Sequence, residues 1–239
     1  MNYRDFDPVA NNRNQELEMS AAFPALMRKV YTWMCLALVI TAVTAYGVAN
    51  SPGLLEMIYS SKLSFFGLII AELALVWYIS ARINKLSLST ATLLFALYSA
   101  LNGAMLASIF IVYSMDIITK TFLVTAGTFG AMAFLGYTTK RDLSKMGSIL
   151  FMALIGIIIA SVVNIFVASD TFDLIICYAG VLIFVGLTAW DTQKIKQMLQ
   201  ASGDTGEVGQ KIALIGALSL YLDFINLFLY LLRIFGRKD

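Results

Sequence analysis

Seven long apolar runs, separated by short polar connections, constrain this chain more than any other feature. Most are about 20 residues long, which at 1.5 Å per residue matches the ~30 Å hydrocarbon thickness of a bilayer. A backbone inside hydrocarbon must satisfy its own N–H and C=O groups, so such runs fold as helices. They cover residues 30–48, 63–81, 86–113, 122–137, 149–167, 174–190 and 212–232. The third is longer than a bilayer needs, which predicts a tilted or projecting helix. Composition agrees: 59% of the residues are hydrophobic and 13% charged, against about 25% charged in a soluble domain. The fold class is therefore an all-α polytopic membrane protein with lipid as the main solvent.

The domain organisation is simple. Residues 1–28 form a polar segment without a secretory pattern, which predicts a mobile cytosolic tail. Residues 29–239 form the transmembrane domain, with no internal repeat. The net charge of +2 gives no basis for a nucleic-acid partner. Cys35 and Cys177 lie inside apolar runs, as small core residues do. No histidine is present, which excludes histidine triads and leaves carboxylates as the pH-responsive groups.

Loop cations predict orientation. Arg4, Arg13, Arg28 and Lys29 precede the first run, and Arg82, Lys85, Lys140, Arg141, Lys145, Lys194, Lys196 and Lys211 fall in alternate connections. The remaining connections hold only Lys62, Lys120 and the acidic pair Asp170 and Asp173. By the positive-inside rule the N-terminus is cytoplasmic. Seven full spans would place the C-terminus outside, yet Arg233, Arg237 and Lys238 prefer the inside. Either the seventh segment is re-entrant or the earlier spans override its charges.

Three carboxylates stand within or at the ends of spans, where ionisable groups cost about 2.5–3.5 kcal/mol and mark function by default. Glu72 lies mid-way along the second span, Asp191 closes the sixth, and Asp223 sits in the seventh. Gly216, Ser219, Asp223, Asn226 and Tyr230 recur at helical spacing and form one stripe on the seventh span. Such a stripe faces the bundle interior or a water-filled path. Ser219 and Asn226 could equally be interhelical glue. Arg82 ends the second span and could snorkel to the interface or reach Asp191. Two carboxyls in contact on antiparallel spans cannot both ionise cheaply, so they titrate as a unit. Helix counting sets Asp191 about 10 Å nearer the cytoplasm than Asp223, a gap that tilt would have to close.

The segments GLTAWDTQKIK around Asp191 and GALSLYLDFINLFLYLLRIFG around Asp223 resemble the Bax inhibitor-1, or transmembrane Bax inhibitor motif, family. The tract GYTTKRDLSKMGSILFMALIGIIIASVVNIF is similar to its bacterial branch, and the resemblance covers nearly all of the chain after the polar start. It implies a seven-helix fold in which a central seventh helix is surrounded by the other six. It also implies a pH-sensitive calcium leak of the bacterial inner membrane, controlled by an aspartate pair that corresponds to Asp191 and Asp223. Calcium is then a transported or transiently bound ion at that pair, and no resident cofactor is implied. Arg82 corresponds approximately to an arginine that pairs with the sixth-helix aspartate, and Glu72 to a second-helix carboxylate. Trp190 departs from the tyrosine that often precedes the aspartate.

The expected partners are the lipid bilayer, calcium ions, protons and, through the cell-death-suppressing role of the family, other membrane proteins. A non-transporting regulator is the alternative function. An intramembrane aspartyl protease also carries two aspartates on adjacent spans, but Leu220-Tyr221-Leu222-Asp223 lacks the Gly-x-Gly-Asp turn of those enzymes. The chain is therefore not expected to be an enzyme.

Overall fold

The computed structural model describes the backbone of residues 8–204 and 206–237, and side chains within that set from residue 23 onward. The described residues form nine helices and no strand. They are α1 (Pro8–Ala49), α2 (Pro52–Tyr59), α3 (Lys62–Arg82), α4 (Leu88–Leu106) and α5 (Ile109–Val112), then α6 (Met115–Thr138), α7 (Ser144–Val167), α8 (Asp170–Ser202) and α9 (Glu207–Phe235). Seven stretches are long and apolar enough to span a membrane: α1 from Phe23, α3, α4 with α5, α6, α7, α8 and α9.

Serine caps mark several starts. Ser61, Ser87, Ser114 and Ser169 each accept an amide hydrogen from the first turn that follows, of α3, α4, α6 and α8 respectively. Each satisfies one of the amides that a helix start leaves without an intrahelical partner. At the tight α8–α9 connection, Gly203 takes the left-handed conformation at φ 60°. Asp204 then accepts the amides of Gly206 at 2.8 Å and Val208 at 3.1 Å.

Three expectations from the sequence change. Residues 8–28 are helical and continue into the first span, whereas the expected tail in residues 1–7 lies outside the described residues. The third run is not one long tilted helix, because it breaks at Ala107 and Ser108 between α4 and α5. There the Tyr59 hydroxyl donates to the Met105 carbonyl at 2.8 Å and accepts the Ser108 amide at 3.3 Å. The sixth span does not stop at Trp190, since α8 runs on to Ser202 and takes Lys194 and Lys196 into the helix.

α9 is the core element, with 67% of its most apolar window buried against 6% for α3 and for α7. Its main neighbours are α1, α4, α6 and α8, while α3 packs mainly on α4 and α7 on α8. The seventh span is thus enclosed chiefly by four helices, not by six. Close approach is built in where glycine faces a neighbour. A Cβ on Gly136 would run into the Ala189 carbonyl, and one on Gly147 into the Trp190 ring. Outward faces carry Leu73 and Trp77 on α3 and Ile159 and Phe166 on α7, all exposed to what would be lipid.

Candidate functional site

α8 and α9 pack antiparallel over their length, and this contact places the carboxyls of Asp191 and Asp223 within side-chain hydrogen-bonding reach. The gap in depth suggested by helix counting closes because α8 continues past Trp190, so Asp191 lies within the helix and not at its end. Asp223 is 5% exposed, and its Oδ2 has no hydrogen-bond partner among the described residues. Asp191 is half-buried. Two carboxyls so placed satisfy each other only when a proton lies between them.

Most of the stripe on the seventh span faces α8. Gly216 lets Ile195 approach, Asp223 meets Asp191, and Tyr230 packs on Gly180 and on the Phe184 ring at 5.9 Å. Asn226 does not act as interhelical glue: its Nδ2 donates to the Leu222 carbonyl of its own helix at 2.8 Å. Ser219 is half-buried.

Arg82 is exposed at the end of α3 and forms no ion pair with Asp191 among the described residues. Its helix docks on α4, away from α8. The cation beside Asp191 is Lys194, one turn along, whose ammonium lies 4.8 Å from the centre of the Trp190 ring. The tryptophan in place of tyrosine therefore gives Lys194 an aromatic platform. Gln193 clasps the α6–α7 connection, accepting the Leu143 amide and donating to the Arg141 carbonyl, both at 2.8 Å. Lys196 donates to the Tyr137 carbonyl at 2.8 Å.

Glu72 does not join the aspartate pair. Its Oε1 is buried without a hydrogen-bond partner among the described residues, and its carboxyl lies beside Asn102. Asn102 accepts from the Tyr221 hydroxyl at 3.1 Å, and that hydroxyl meets Thr41 Oγ1 at 2.6 Å. Thr41 in turn donates to the Ser99 carbonyl at 2.9 Å. This second polar cluster is invisible to a search for charge: Tyr221 among leucines and Thr41 among alanines look like packing residues. The one available signal is that buried hydroxyls in a span need partners.

The chain is thus an integral membrane protein of seven spans, with a carboxyl pair enclosed between its last two helices. Residues 24–239 match the family described as inhibitor of apoptosis-promoting Bax1, and the chain belongs to that Bax inhibitor family. It is 53% identical over 220 residues to inner membrane protein YbhL of Escherichia coli, covering 91% of this chain and 94% of that one. A Borreliella burgdorferi protein is 48% identical over 212 residues, covering 89% and 91% of the two chains. A Rickettsia prowazekii protein is 42% identical over 214 residues, covering 89% of each.

Proposed function

We propose that this chain is a pH-sensitive calcium leak of the bacterial inner membrane, gated by a proton shared between Asp191 and Asp223. The observation that carries the reading is the contact between these carboxyls, enclosed by α8 and α9. One shared proton ties the two helices together. Its loss sets two like charges against each other in surroundings of low polarity, where repulsion is strong. α8 and α9 then separate beside Asp223, and a path opens.

The same step leaves an oxygen-rich site suited to a hard cation. Calcium takes 6–8 oxygens, of which two carboxylates supply at most four. No group of three or more acidic, cysteine or histidine side chains capable of holding a metal occurs among the described residues. That donor set fits a passing ion whose shell is completed by water, not a stored one. Lys194 takes the restraining role first expected of Arg82, and Glu72 offers a second carboxylate station on α3. YbhL is named as an inner membrane protein, and the alternation of loop cations supports a cytoplasmic N-terminus.

Calcium flux into proteoliposomes, compared between wild type and Asp223→Asn, tests the reading. The expected result is flux that rises with pH in the wild type and loses its pH dependence in the variant. Equal, pH-independent flux in both overturns the mechanism.

A further inference from the structure

Two grooves flank the start of the first span, apart from the carboxyl site. On one side of α1, Met27, Tyr31 and Met34 face Phe129, Gly130 and Ala133 of α6 across a slot of about 570 Å³. On the other, Lys29, Thr32, Trp33 and Gln210 border a recess of about 460 Å³. Arg28 borders both.

The slot is mostly apolar and has the depth of one leaflet. It runs from Pro24 to Cys35 on α1, about 16 Å at 1.5 Å per residue, or roughly half of a ~30 Å hydrocarbon core. The stacked rings of Phe23 and Tyr137, with centres 6.3 Å apart, lie at its outer end. Its α6 wall is also unusually bare. A Cβ on Gly130 would meet nothing within 4 Å, although glycine inside a helix costs about 1 kcal/mol relative to alanine. No close helix contact explains this glycine, whereas a slender chain lying in the slot does.

The recess differs in setting a second cation, Lys29, beside Arg28. Arg28 and Lys29 are exposed, and neither pairs with a carboxylate among the described residues. Trp33 adds the kind of ring found at the level of lipid headgroups. Cations set beside a leaflet-deep hydrocarbon slot are complementary to one kind of molecule, an amphiphile with a negative head.

We infer that this region binds an anionic phospholipid from the leaflet on the N-terminal side, with its phosphate on Arg28 and Lys29 and an acyl chain between α1 and α6. A soluble phosphate would leave the slot unused, and a zwitterionic lipid would gain less from the two cations.

The test adds phosphatidylglycerol or phosphatidylcholine of matched chains to the detergent-purified full-length protein. Bound lipid is followed by native mass spectrometry and stability by Tm. Phosphatidylglycerol is expected to bind tighter and to raise Tm more. The double variant Arg28→Gln, Lys29→Gln should bind it roughly thirtyfold more weakly. Gly130→Phe, which fills the slot, should abolish the Tm rise while keeping a lipid-free Tm close to that of the wild type. Equal effects of the two lipids overturn the inference. The charge variant alters only exposed side chains and so folds whatever becomes of Gly130→Phe, and unchanged phosphatidylglycerol binding in it also overturns the site.

Discussion

The Arg233 guanidinium at the end of α9 lies 3.8 Å from the Asp173 carboxylate at the start of α8. One turn further out, Arg237 donates to the Asp170 carbonyl at 2.9 Å. Arg233 and Arg237 are therefore matched by Asp173 and Asp170 at their own end of the bundle, which a full seventh span requires and a re-entrant one does not. Reporter fusions should place the N- and C-termini on opposite sides of the membrane. Because the Arg233–Asp173 pair is well exposed, Asp173→Asn should lower stability by no more than about 1 kcal/mol.

Tyr221 should behave differently. It is fully buried, and its hydroxyl joins Thr41 to Asn102. Tyr221→Phe keeps the ring against Phe95 and Tyr98 but removes the hydroxyl that donates to Asn102. A loss of about 1 kcal/mol is expected, as for other hydrogen bonds inside membrane proteins. Tyr221→Ala also opens a cavity and should cost about 3–5 kcal/mol. Thermal unfolding in detergent separates the two.

Glycine positions of similar appearance in the sequence should diverge. Gly136→Ala drives a methyl group into the Ala189 carbonyl, two residues from Asp191, and should markedly lower both Tm and yield. Gly127→Ala meets open space and should leave Tm unchanged or raise it slightly through better helix propensity.

Asp142 supplies a pH signal outside the spans. Its Oδ1 accepts the Ser144 hydroxyl at 2.7 Å and the Ser144 amide at 2.9 Å, and these bonds hold its carboxyl below the ordinary value of 3.8. A lowered native value means that the turn leading into α7 is stabilised above the ordinary carboxylate range. That stabilisation is lost as pH falls through the native value. Carboxyl-carbon NMR shifts should show Asp142 titrating low, and Ser144→Ala should move it back up toward 3.8.

Much of this was legible in the sequence, and the failures share a cause. Hydropathy located all seven spans because lipid demands long apolar runs. It ended the sixth span at Trp190, because Lys194 and Lys196 look like loop residues even though α8 carries them as helix. That error produced the apparent gap in depth between Asp191 and Asp223. Its level in the membrane allows Arg82 to reach Asp191 or to snorkel, but level does not fix azimuth, and α3 docks on α4, away from Asp191. The break at Ala107 depends on Tyr59, some fifty residues earlier, and no local pattern records such a partner.

The account turns on one proton between Asp191 and Asp223, and infrared difference spectroscopy across a pH titration observes it directly. A protonated-carboxyl band should be present while the gate is closed and vanish over the same pH interval in which calcium flux rises. Asp191→Asn and Asp223→Asn should each abolish that coupled change. A wild-type spectrum without such a band, or one whose band survives both substitutions, would contradict the shared proton and the gate built on it.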